Sequence, residues 1–172
     1  LNEVTNNEEQ EGYAQAGTTL LTKVGRLTHE PQRPAGVSDT FYEKGYTGTS
    51  SSNLAYGYGN LAGAVINGWM DDGDSRNIDR VGHRMWCLDP RMRSTGFGHS
   101  GTYTAMWSHD SYQNDAEYPY SYIPWPAQLM PVEYFEGPWS VALNTSIYQG
   151  DQSYAKVTMK VLSTGKTYTL DC

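Results

Sequence analysis

Apolar residues recur at three- and four-residue steps over 8–27, at Tyr13, Ala16, Leu20, Leu21, Val24 and Leu27. That spacing predicts one face of an amphipathic helix. Glu8, Glu9 and Glu11 fall in its first turns, where the helix dipole favours acids. The helix must stop before Pro31 and Pro34. Over 35–59 the period disappears, and Gly45, Gly48, Gly57, Gly59 and the run Thr49-Ser50-Ser51-Ser52-Asn53 predict loops. Asn60 is placed to cap a second helix, whose face carries Leu61, Val65, Ile66 and Trp69 and which ends at Asp71-Asp72-Gly73-Asp74. Trp69 is expected in the core, against Leu20 and Leu21 or a sheet. A third helix is predicted over 75–88, with Ile78, Val81 and Met85 on one side and Asp89-Pro90 closing it. From Gly96 the period becomes two. Phe97, Tyr103, Ala105 and Trp107 alternate with polar residues, which predicts half-buried strands about a turn at 98–101. Strands are also predicted over 139–143, 155–162 and 167–170. The intervening 111–138 is irregular and holds five of the eight prolines, so it is expected to lie extended against a surface.

Length and charge narrow the class. A chain of 172 residues fits one domain with an appendage. The net charge is −7 and no Lys/Arg cluster is present, which argues against a nucleic-acid binder or a polybasic membrane anchor. No apolar run approaches the ~20 residues that span a bilayer. The polar start Leu1-Asn2-Glu3 carries no signal peptide, so the protein is cytosolic or its leader has been removed. Two cysteines, Cys87 and Cys172, are too few for a disulfide scaffold and form no C-x-x-C zinc site. Charged residues reach only 18% while aromatics reach 13%, a balance associated with secreted and surface proteins.

Candidate chemistry is sparse. His29 follows the first helix beside Glu30, and taken alone it reads as a surface or capping histidine. His83 lies in Gly82-His83-Arg84, with Asp79 four residues upstream on the same predicted helical face. A carboxylate there would fix the imidazole tautomer, which suits a metal ligand, a base or a plain structural bond. The acidic run 71–74 lacks the alternating donors and the sixth-position glycine of an EF-hand, so it reads as a solvated helix end. Neither a nucleophile elbow nor a phosphate-cradling glycine motif occurs. Cys87, in Met85-Trp86-Cys87-Leu88, is expected to be a buried and inert thiol. Asn144-Thr145-Ser146 is a glycosylation sequon, meaningful only in a eukaryotic secretory pathway.

Five short pieces together resemble a known family. They are Leu27-Thr28-His29, Ser51-Ser52-Asn53-Leu54-Ala55, the helix from Val65 to Trp69, Gly82-His83-Arg84, and Thr95-Gly96-Phe97-Gly98 followed by Tyr103-Thr104-Ala105-Met106-Trp107. Their order and spacing look like the CAP superfamily of cysteine-rich secretory proteins, antigen 5 and pathogenesis-related proteins, in its bacterial extracellular SCP-like branch. The likeness covers roughly residues 8–110. It implies an α+β fold, an α-β-α sandwich around a small antiparallel sheet, followed here by a β-rich C-terminal extension. The resulting division is 1–113 for the CAP-like domain and 114–172 for an aromatic connector and extension, with Cys172 either the partner of Cys87 in an oxidised protein or a cut edge. It also implies an extracellular or cell-surface location. Family members often face two histidines and two acids into one cleft. By motif, the histidines are His29 and His83; the first acid position is Ser52, and the second is Asp72, shorter than the usual glutamate. The histidine pair implies a possible zinc site, with Asp72 as third ligand or as a partner behind the ligands.

Three functions follow as expectations. The first is a secreted or surface-attached domain, monomeric, binding an extracellular ligand, protein or glycan at a cleft of His29, Ser52, Asp72 and His83 without turnover. The loss of the acid at Ser52 removes a candidate general base and disfavours hydrolysis. The second is a zinc-dependent hydrolase of peptide or cell-wall material, with zinc on His29 and His83 polarising a carbonyl or activating water. The third is a carbohydrate-binding surface protein using Tyr118, Tyr120, Tyr122 and Trp125 as stacking platforms, against the alternative that these rings pack the extension onto the body.

Overall fold

A computed structural model describes residues 3–110, 120–127, 129–131, 136–150 and 156–170. The fold is mixed α and β. After a short strand β1 (Thr5–Asn6), helix α1 spans Glu8–Val24. Its start follows from Asn7, whose side chain accepts the backbone N–H groups of Glu9 and Gln10. It ends three residues earlier than its apolar period suggests. Gly25 turns left-handed (φ 76°) and returns its N–H to the Leu21 carbonyl, leaving Leu27 outside the helix and exposed.

The largest departure from the sequence reading lies in 35–59. Instead of loops, this stretch forms helix α2 (Asp39–Ser50), capped by Ser38, and strand β2 (Ser52–Tyr56). Gly45 and Gly48 are contact points with α1, whereas Gly57 and Gly59 lie in a bend after β2 as expected. A methyl group on Gly48 would overlap the Tyr13 carbonyl of α1, so only glycine permits this approach. Helix α3 (Leu61–Gly63) widens into π-type winding over Ala64–Met70, with Asn60 capping it as expected. Ile66, expected on its packing face, is exposed.

The predicted helix over 75–88 shrinks to α4 (Gly82–Cys87). Residues before it form turns, because Val81 adopts a left-handed conformation (φ 41°) that no β-branched residue takes within a helix. Then follow β3 (Ser94–Thr95), β4 (Phe97–Ser100) and β5 (Tyr103–Trp107). The hairpin between β4 and β5 turns at Gly101-Thr102, slightly later than predicted.

Strands β2, β5 and β4 form one antiparallel sheet with β5 central, and β1 pairs in parallel with β3. Side chains alternate across β5. Tyr103 and Ala105 join Leu54, Ala14 and Leu21 in one core beneath α1. Met106 joins Ala55, Ala64, Trp69 and Met92 in a second core on the opposite face. Trp69 is therefore core against the sheet and not against Leu20 and Leu21. Its indole N–H donates to the Leu54 carbonyl at 3.1 Å.

Two hairpins make up the described C-terminal part. Strand β6 (Tyr122–Trp125), within the stretch read as irregular, pairs with β7 (Ser140–Leu143). Ile123, Ser140 and Ala142 line a cavity of about 220 Å³ with Trp86 and Leu88 of the α4 region, so this hairpin lies against the body. Strand β8 (Val157–Lys160) pairs with β9 (Thr167–Leu170), and no residue over 156–169 is buried. The expected domain boundary between 113 and 114 lies outside the described residues. Among the described residues, no helix is long and apolar enough to cross a membrane.

Candidate functional site

The chemistry gathers where the chain turns between α3 and α4. Asp72 takes a left-handed conformation (φ 48°), which swings its carboxylate inward until only 3% of the residue is exposed. The acidic run is thus no solvated helix end at this residue. One oxygen, Oδ2, accepts the backbone N–H groups of His83 at 2.9 Å and Arg84 at 3.1 Å. The other, Oδ1, accepts from His83 Nδ1 at 2.8 Å and from the Asn77 side-chain amide. Burial alone would raise the carboxyl pKa. The donors from His83, Arg84 and Asn77 outweigh it and hold the group below its ordinary value. Asp72 is therefore an anion at neutral pH and can only accept hydrogen bonds. Nδ1 of His83 must carry its proton, and Nε2 is the ring nitrogen left for other partners.

Asp79, the expected partner of His83, is exposed and does not fill that role. The four-residue spacing has meaning only along a helix, and residues 75–81 do not form one. Asn77, which the sequence reading passed over, is the buried spacer of this turn. Its amide donates to Asp72, and its carbonyl oxygen accepts from Arg80 Nε at 2.8 Å and from the Gly82 N–H. No spacing rule marks it, since its role depends on the left-handed turns at Asp72 and Val81.

Arg84 is fully buried. Nε donates to the Met70 carbonyl at 2.7 Å, Nη2 to the Asp71 carbonyl at 2.5 Å, and Nη1 to the Pro138 carbonyl at 2.7 Å and Ser140 Oγ at 3.0 Å. Its guanidinium carbon sits 5.6 Å from the Trp125 ring centroid. Its presence in Gly82-His83-Arg84 was visible in the sequence, but its partners were not.

His29 is held differently. Its Nδ1 lies 2.8 Å from the Thr49 carbonyl, and Thr49 Oγ1 donates to the His29 carbonyl at 3.0 Å. A carbonyl only accepts, so Nδ1 is again the protonated nitrogen. His83 is bound to the same stretch of chain, because Asn53 Nδ2 donates to its carbonyl at 2.9 Å. The two histidines, His29 by its ring and His83 by its backbone carbonyl, are thus fastened to Thr49 and Asn53, four residues apart across the α2–β2 junction. Ser52 lies between these anchors, buried, and its Oγ has no hydrogen-bond partner among the described residues.

The donor set does not make a three-ligand metal centre. Among the described residues, no three His, Cys, Asp or Glu side chains are grouped to hold a metal ion. Asp72 stands behind His83 with both oxygens engaged by N–H groups, which is the place of a supporting carboxylate and not of a third ligand.

Other expectations sort as follows. Burial pushes the Cys87 thiol up to about 12, which makes it unreactive at neutral pH. Its proposed partner Cys172 lies outside the described residues. The sequon amide of Asn144 is buried and engaged. Nδ2 donates to the Tyr120 carbonyl at 3.1 Å, and Oδ1 accepts the Ser146 N–H. Of the four candidate stacking rings, Tyr120 and Tyr122 are exposed, Trp125 lies over Arg84, and Tyr118 falls outside the described residues. Searches of protein-family models, curated proteins and solved structures found no match to this chain.

Proposed function

We propose that the chain is a CAP-like domain of a secreted or surface-displayed protein, which binds a ligand or partner through His29 and His83 without turnover. One observation carries this reading. Both imidazoles spend Nδ1 on a protein acceptor, the Thr49 carbonyl and the Asp72 carboxylate, so Nε2 of each is the nitrogen left for a ligand. An imidazole so tied has its tautomer and its ring plane set before any ligand arrives, which reduces the entropy lost on binding. The five motif pieces and the helices lying against both faces of the three-stranded sheet agree with the reading. Ser52 in place of an acid leaves the pair without a second carboxylate on the β2 side, which favours binding over hydrolysis.

Zinc is the probe for a pair of available Nε2 atoms. Calorimetry on metal-stripped protein at neutral pH is expected to show one equivalent bound by wild type and none by the His29→Ala/His83→Ala variant. Absence of binding by wild type would overturn the pairing of the two rings. The Asp72–His83 contact favours one further reading, a hydrolase in which His83 acts as base or metal ligand with Asp72 behind it. Turnover of peptide or cell-wall substrates that is abolished by chelation, restored by zinc and lost in His83→Ala would put that reading in place of the first.

A further inference from the structure

The C-terminal hairpin reaches the candidate site through Arg84. The backbone N–H of Arg84 belongs to the Asp72 carboxylate, while its side chain reaches the Pro138 carbonyl and Ser140 Oγ. A second contact lies beside it. Gly137 adopts φ 88°, and a methyl group there would run into the Asp71 carboxylate, so the chain passes close over the residue preceding Asp72. Pro138 also reaches the Gly73 turn. Residues 71, 72 and 73 are thus bracketed by the 137–140 segment from outside and by His83, Arg84 and Asn77 from within. Asp72 and Val81 both hold left-handed conformations that are unfavourable for residues other than glycine, so the turn persists only while its surroundings over-determine it.

We propose that the Gly137–Ser140 segment is a positioning strap for His83, holding Asp72 under the imidazole by clamping Arg84 and Asp71. The β6–β7 hairpin is then not a passive appendage. With the strap docked, Asp72 keeps both oxygens on His83 and Arg84, and His83 keeps its proton on Nδ1. With the strap released, Arg84 loses two of its four side-chain acceptors, and a buried guanidinium missing acceptors moves toward water. Its backbone N–H would move with it, away from Asp72. The inference rests on His83 being a site residue, but its readout requires no ligand.

The test uses the full chain with ¹⁵N-labelled histidine, at one fixed alkaline pH where imidazoles are neutral. Wild type is expected to show His83 as a single tautomer protonated on Nδ1. Gly137→Ala, which crowds the Asp71 carboxylate and strains a φ of 88°, is expected to lose that single-tautomer signature together with the nuclear Overhauser contact between Trp125 and Arg84. Ser140→Ala removes one Arg84 acceptor and is expected to give a smaller shift in the same direction. Leu20→Val loosens the packing of α1 on α2, where the buried Leu20 meets Gly45, and is expected to leave the His83 signature unchanged, which separates positioning from general loss of stability. A detached hairpin with an unchanged His83 signature overturns the proposal, as does an equal loss in Leu20→Val. If Gly137→Ala does not fold, Ser140→Ala decides, and an unshifted His83 there counts against the strap. Failure of zinc to bind wild type would remove the proposed function while leaving the strap in place.

Discussion

His83 and His29 are both tied to the stretch 49–53 and both engage Nδ1 within the protein, yet different forces hold their rings. His83 rests on a buried anion that also serves two backbone amides and neighbours a buried guanidinium. His29 rests on a neutral carbonyl at the end of α2 and is itself exposed. The first arrangement is strong and intolerant, because each buried charge relies on the others. The second is cheap and local, worth about one hydrogen bond. The proposed site would then have one rigid wall and one adjustable wall.

The largest effect that would sharpen this contrast comes from the anion. Asp72→Ala removes a buried carboxylate whose charge favours the Arg84 cation and strips two backbone amides, the His83 ring and the Asn77 amide of their acceptor. It is expected to cost about 3–5 kcal/mol in urea unfolding, since each buried donor left unsatisfied costs about 1–3 kcal/mol. A loss below about 1 kcal/mol would erase the distinction between the two walls. Trp69→Ala, which empties the core on the same side of the sheet, is expected to cost about 3–5 kcal/mol as well.

Acid unfolding gives the next contrast. The folded state lowers the Asp72 pKa, so its contribution is fully present above the ordinary carboxylate value of 3.8 and is lost as pH falls through the lower folded value. Wild-type stability should fall in that acid range more steeply than that of Asp72→Asn, compared by urea midpoints from pH 5 downward. Parallel curves would show that Asp72 gains nothing from its donors. The smallest effect belongs to His29. Thr49→Val removes the hydroxyl that fixes the His29 carbonyl and should cost about 1 kcal/mol by the same unfolding measurement. It should leave the His83 ring spectrum untouched. A shift at His83 would mean that the two walls are mechanically joined through Thr49–Asn53.

Much of the helix and strand content was legible in local patterns. The apolar stripe of α1, the cap at Asn60, the alternation at Tyr103, Ala105 and Trp107, and the last three strands all appear close to where their periods put them. Two elements were hidden. Helix α2 carries Gly45 and Gly48 because it presses on α1, and those glycines read locally as breakers. The helix expected over 75–88 was cut short because Val81 is held left-handed by a turn organised around Asp72, which propensity cannot anticipate.

The candidate site divides in the same way. The resemblance of five short motifs to a known family marked His29, Ser52, Asp72 and His83, while the amino-acid order alone bounded the class by charge, cysteine count and the lack of phosphate or nucleophile motifs. It chose Asp79 as the partner of His83, because spacing along a helix is the only distance a sequence offers. The tertiary structure decided that Asp72 takes that place, that Asn77 and Arg84 complete the network, and that the C-terminal hairpin reaches it. The physical reason is that a buried carboxylate recruits whichever N–H donors the fold brings within hydrogen-bond distance, and those donors come from residues 5 to 12 positions away through left-handed turns. Local periodicity encodes which faces are apolar. Where a buried charge finds its partners is settled only when the chain has folded around it.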